Sequence, residues 1–359
     1  MLGKFAMLAN VAAAQSVALA VTASRPVLLR GGKMSMVYRP AIPAEEKAIA
    51  LTSATVQAST AAAAEWAGDL LVLPCWEADN ATVFKLDGEL AALDSAVGGA
   101  LSELAAEQEF KGASGSKAVI TLPKSVSSAK RLAIVGLGKP DKVKVSGVRG
   151  LGSTIAALSK ETKAKAVGLV LPSAPALADA HQQAAFEAML IGLSPDTRYK
   201  SKADADENKP PPLASLDVLN AGEGLAEAAT RARQMASGVL LTMGMVASPP
   251  NYLTPTTMAE TAQAIADDFD SVTLKVLERA DCEAFEQGMG AYLGVSQGAV
   301  EDPKFIHLTY TPSKGAAKKK VAIVGKGLTF DSGGYNIKAG AGSMIEKVSP
   351  ATTTLAHPP

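Results

Sequence analysis

The sequence predicts an α/β protein of two domains, an N-terminal α/β domain with a mixed sheet followed by a second α/β domain. Three observations predict it. Short β-branched apolar runs alternate with stretches of helical period, the pattern of a sheet covered by helices. A charged, Pro-rich break at 200–212 (KSKADADENKPPP) interrupts that alternation. The chain has 359 residues, 48% of them apolar, which is enough for two cores.

The N-terminal domain is expected over 45–199. Its strands are read at 69–75 (DLLVLPC), 118–122 (AVITL), 132–135 (LAIV) and 167–171 (VGLVL), each a short apolar run. Leu90, Leu93, Val97, Leu101 and Leu104 recur at three- and four-residue spacing, so 90–105 reads as one helix. Similar spacing predicts helices at 150–158 and 180–190. The linker is expected at 200–215 and the second domain at 216–346. There a long helix is read at 225–245, ended by Pro249 and Pro250. Thr254 and Pro255 have the chemistry of an N-cap and first turn for a helix at 256–268. A strand (272–277), a helix (282–289) and strands at 305–310 and 321–324 complete the reading.

Composition excludes several classes. Lys plus Arg and Asp plus Glu both number 35, so no net charge draws the chain to nucleic acid or an acidic membrane. No apolar run reaches the length of a membrane span. Aromatics are 4%, so the cores are expected to consist of Ala, Val, Leu and Ile. Cys75 and Cys282 lie far apart and read as two reduced thiols, neither a disulfide framework nor a Cys-based zinc site. Residues 1–44 contain no Asp or Glu but carry Lys4, Arg25, Arg30, Lys33 and Arg39 among many Ala and Ser. That is the composition of an organelle transit peptide, with a secretory signal as its rival. The expected destination is the chloroplast, with mitochondrion or cytoplasm as alternatives.

The chemistry-bearing segment is 325–338, GKGLTFDSGGYNIK. It follows the apolar run 321–324 (VAIV), read as a buried parallel strand, and ligands in open α/β sheets bind beyond the carboxyl ends of strands. Asp331 offers hard oxygen donors to a divalent cation. Lys326 ligates only as a neutral amine, which needs a strongly lowered pKa from desolvation or an adjacent dication. Gly333 and Gly334 permit a tight turn and close approach to a ligand. Lys338 places a cation where a carbonyl or an oxyanion could be stabilised. Taken by spacing alone, the same residues describe an ordinary Gly-rich turn with solvated charges. A phosphate-cradling loop is a further reading, but GxxxxGK[ST] is absent, and neither 136–138 nor 147–152 (GVRGLG) fits a phosphate-loop pattern.

The run 321–338 resembles the first metal-binding segment of the leucyl aminopeptidase family, its plant and algal members in particular. Segments 247–258 (ASPPNYLTPTTM), 288–294 (GMGAYLG) and 305–310 (FIHLTY) are similar to the family in type and order. The likeness covers roughly 48–346 and is specific after about residue 247. The resemblance implies that Lys326 is a metal-binding lysine, Asp331 an aspartate bridging two metals, and Lys338 the catalytic lysine at the substrate carbonyl. It implies two divalent ions (Mn, Zn or Mg), peptide substrates that lose an N-terminal amino acid, Leu preferred, and a hexamer.

After Glu346 the likeness ends. The expectation is a C-terminally truncated catalytic domain with an unstructured tail at 347–359 (KVSPATTTLAHPP). Ala351 or Ser349 stands where a further metal-binding aspartate aligns, and an NTDAEGRL-type segment is absent. Lys326 and Asp331 cannot hold two metals alone. His307 reads as a packed or edge strand residue and His357 as solvated. The readings are therefore an aminopeptidase incomplete at its site or, alternatively, a non-catalytic assembly protein that joins hexamers of a complete paralogue.

Overall fold

The computed structural model describes residues 49–77, 86, 88–173, 175–199, 213–313 and 319–340. The expected transit segment (1–44), the body of the expected linker (200–212) and the expected tail (347–359) lie outside the described residues. The chain divides into two compact units. The first holds Ile49–Thr197 and runs on to Leu241; the second takes the chain from Thr242.

The first unit is built on a six-stranded mixed sheet. In chain order its strands are β1 (Thr55–Ser59), β2 (Leu70–Trp76), β3 (Lys117–Thr121), β4 (Arg131–Gly138), β5 (Ala166–Val170) and β6 (Ser215–Leu219). They lie side by side as β1-β6-β5-β2-β4-β3. All pairings are parallel except that of β3 with β4. The central register places Val72 beside Ala133 and Leu169. Alternate side chains of each strand enter opposite cores. Leu70, Val72, Ala133 and Val135 join one core, while Leu71, Leu73, Leu132 and Ile134 join the other. A sheet buried on both faces explains why β2, β4 and β5 read as unbroken apolar runs rather than alternating ones.

Helices cover both faces. Leu93, Val97, Leu101 and Leu104 seal one face from the 88–107 region. The expected single helix there is two, α1 (Gly88–Ala96) and α2 (Ala100–Glu107). Gly98 and Gly99 take the left-handed conformation between them, with φ of 72° and 84°. The Asp94 carboxylate accepts from the amides of Leu101 (2.8 Å) and Ser102 (3.1 Å), so it caps the second helix. The other face carries α3 (Val145–Glu161), α4 (Asp179–Gly192) and the start of α5 (Leu225–Ala247). Arg149 on α3 makes a two-pronged ion pair with the buried Glu187 on α4, at 2.8 and 3.2 Å.

The expected division at 200–215 is displaced. Ser215 opens β6, which inserts between β1 and β5, and Ala228, Ala232 and Ala236 of α5 pack on the same core. The residues after the Pro-rich segment therefore return to the first sheet, and the first unit extends to Leu241. Strands β1 and β6 are absent from the sequence reading. β1 (TVQAS) is a mostly exposed edge strand with a single apolar β-branched residue, Val56, so it gives little apolar signal.

In the second unit α6 (Pro255–Asp268) begins as its sequence requires. Thr254 and Thr257 form a reciprocal capping box, with Thr257 N–H donating to Thr254 Oγ1 at 3.3 Å. The antiparallel pair β7 (Val272–Leu277) and β8 (Phe305–Tyr310) follows the predicted bounds. The helix expected at 282–289 instead starts and stops earlier, as α7 (Arg279–Glu283). Asp281 accepts from the Glu278 amide at 2.9 Å to fix its start, and Gly288 turns with a φ of 71°. A short α8 (Gly290–Val295) precedes β8. His307 is exposed on β8, 3.5 Å from the Thr309 hydroxyl. Cys75 and Cys282 are both buried, and neither forms a disulfide. Burial, then the acidic neighbours Asp281, Glu278 and Glu283, pushes the Cys282 thiol upward, away from thiolate chemistry.

Candidate functional site

The strand expected at 321–324 does not form. Residues 319–330 have no regular structure, and Val321, Ile323 and Val324 are 74%, 65% and 93% exposed. An apolar run becomes a strand only when a neighbour satisfies its backbone donors and acceptors. Among the described residues β8 pairs with β7 alone, and 321–324 joins no sheet. The site residues therefore do not sit at the carboxyl end of a strand.

They are brought together by a turn instead. Asp331 and Lys338, seven residues apart, meet with Nζ 2.5 Å from Oδ2. The other carboxylate oxygen, Oδ1, accepts from the Gly333 amide at 2.9 Å. The Lys338 amide donates to the Ser332 carbonyl at 2.9 Å and closes the loop through the backbone as well. Gly333 makes this possible: its φ is 87°, and a Cβ there would lie 2.1 Å from the Asn336 carbonyl oxygen. Sequence reasoning named Asp331 and Lys338 but not their contact; the Gly-Gly pair between them is the signal that could have found it.

Electrostatics follow the geometry. The Lys338 ammonium holds the Asp331 carboxyl below the usual carboxylate range, helped by the Gly333 N–H and by the charges of Lys338 and Lys326. Lys326 is exposed. Both partners of the ion pair are substantially solvated, at 48% exposure for Lys338 and 39% for Asp331, so the pair shapes the loop more than it stabilises the fold.

The metal pair that the resemblance implies needs more donors than this loop brings. Asp331 brings one carboxylate, and its two oxygens already accept from Lys338 and Gly333. Among the described residues no three His, Cys, Asp or Glu side chains come together to hold a metal ion. The residues described do not fit a two-ion centre by themselves, because such centres need several carboxylates, some of them shared.

Known proteins give the context of this loop. Residues 72–203 match the N-terminal domain of the cytosol aminopeptidase family, and residues 241–354 match its catalytic domain. A probable cytosol aminopeptidase of Nostoc punctiforme is 44% identical over 292 residues, covering 81% of this chain and 56% of that protein. The chloroplastic leucine aminopeptidase 2 of Oryza sativa subsp. japonica is 38% identical over 299 residues, covering 79% of this chain and 47% of that protein. A solved structure of a tomato leucine aminopeptidase mutant superposes with a TM-score of 0.67 at 31% identity, covering 79% of this chain and 55% of that one. The chain thus spans about half the length of the curated relatives it matches. Two consecutive domain matches in family order, relatives above 40% identity and a structural neighbour of the same kind all agree: the chain belongs to the cytosol aminopeptidase family.

Proposed function

We propose that the chain carries the N-terminal domain and the opening of the catalytic domain of a metal-dependent aminopeptidase, which releases N-terminal amino acids, Leu preferred, from peptides. The observation that carries this reading is the Asp331–Lys338 loop lying inside the catalytic-domain match at 241–354. In this reading Lys338 donates to the peptide carbonyl oxygen and polarises it for attack by water. Asp331 and Lys326 are this segment's contribution to a pair of divalent ions (Mn, Zn or Mg), and the remaining acidic ligands come from outside the described residues. Hexameric assembly belongs to the same reading. So does a plastid destination, supported by the acid-free 1–44 segment and the chloroplastic rice relative.

The test is turnover of leucine p-nitroanilide with Mn. The 359-residue chain is expected to stay at background. A version extended by the C-terminal part of the Nostoc protein is expected to turn over, and K338A in it to lose roughly 100- to 1,000-fold in kcat. A correctly sized, folded extension that stays silent with Mn, Zn and Mg would remove the aminopeptidase assignment.

The donor count favours one second reading, a non-catalytic subunit that joins hexamers of a complete paralogue. Mass measured in solution with and without the full-length enzyme separates the two, since a strict monomer in both cases excludes co-assembly.

A further inference from the structure

We propose that the Asp331–Lys338 ion pair is a latch that closes the 331–338 loop without metal, with Lys338 holding the place at Asp331 that a cation would take. The mismatch between the donor set and a metal pair is what points there. An ionised carboxylate attracts cations and N–H donors to both of its oxygens, and on Asp331 the chain's own groups already supply one to each. Here Oδ2 faces the ammonium at 2.5 Å and Oδ1 faces the Gly333 amide at 2.9 Å.

The loop is also closed at the backbone, by the Lys338 amide on the Ser332 carbonyl at 2.9 Å. Gly333 and Gly334, with φ of 87° and 61°, provide the reversal that brings residue 338 back to 331. Each of these contacts lies within eight residues and uses only this chain's own donors. The loop therefore has its shape before any ion arrives. The ammonium supplies the positive charge that balances Asp331, and the lysine is stored beside the carboxylate. The metal-ligand role of Asp331 rests on the function proposed above; the metal-free closure of the loop does not.

Amide hydrogen exchange of the 359-residue chain tests the latch, read at Gly333 and Lys338 in EDTA and again in 1 mM Mn. Wild type is expected to protect both amides equally in the two conditions. D331N and K338M are expected to exchange about two- to fivefold faster in EDTA, the range an exposed ion pair supports. K338R keeps a cation at the carboxylate and is expected to retain protection. Protection that appears only with Mn, or K338M exchanging like wild type, would overturn the latch. The measurement contains no substrate, so it fails separately from the function: a silent extended enzyme with protected amides rejects the aminopeptidase alone, and turnover with unprotected amides rejects the latch alone.

Discussion

At the scale of single residues, Asp69 does more for the fold than any charge in the candidate site. It stands just before β2, and its Oδ2 accepts from the amides of Lys165 (2.8 Å) and Ala166 (3.2 Å) at the start of β5. Its Oδ1 pairs with the Lys130 ammonium beside β4. One carboxylate thereby fastens the entry of three adjacent strands. The Lys130 hydrogen bond is the main cause that lowers its pKa from 3.8 to about 2, with the two amides adding to it. A folded-state pKa below the unfolded one contributes stability that is present above the unfolded value and lost as pH falls through the folded one. D69N should therefore cost roughly 1–2 kcal/mol at pH 7, after allowance for solvent screening. The difference from wild type should shrink between about pH 4 and pH 2. Urea titrations at pH 7 and pH 3 check this, and a pH-independent difference would show that the charge is not the cause.

At the scale of elements, the tightest contact is between α3 and α4. Gly152 on α3 faces the backbone of α4 so closely that a Cβ would lie 1.9 Å from the Ala185 carbonyl oxygen. The opposing atom is backbone and cannot swing away, so the helices would have to separate. G152A should destabilise the first unit by about 1–3 kcal/mol, the range for overpacked cores, and G152V by more. A fall in the urea midpoint at constant m-value is the expected result, and an unchanged midpoint would mean a looser helix pair. The Arg149–Glu187 ion pair lies on the same two helices and fixes their register, because Glu187 is only 3% exposed and keeps its charge satisfied by Arg149. The elements legible in the sequence are those whose signal is local. Thr254 and Pro255 start α6, and β7 and β8 keep their expected bounds, because caps and β-branched runs act within a few residues.

At the scale of the whole molecule, the two units differ in how far they bury their apolar residues. The first encloses two cores around one sheet. The second leaves Val300, Val321, Val324 and Ile337 largely in solvent, the last three within the segment that carries the candidate site. Exposed apolar side chains, such as the consecutive run at 321–324, bind hydrophobic probes. The triple variant V321S/I323S/V324S should lower the fluorescence of bound anilinonaphthalene sulfonate by roughly half at equal protein concentration. Unchanged fluorescence would place the probe elsewhere. That exposure is also why the apolar run at 321–324 forms no strand: it has the composition of a buried strand, and burial is what the described residues do not provide.

The sequence by itself determined the α/β class, the runs that became β2, β4 and β5, the cap of α6, and the residue types of the candidate site. Those features depend on side-chain chemistry and on spacing within a few residues. Tertiary structure alone decided the rest. β6 joined the first sheet because β1 and β5 offered it two free edges, which carried the first unit past the Pro-rich segment. The run 321–324 stayed out of a strand because it has no partner among the described residues. Asp331 and Lys338 became an ion pair because two left-handed glycines fold the chain back on itself. Pairing and burial involve residues distant in sequence or turned toward one another in space, and the order of residues specifies them only through the fold.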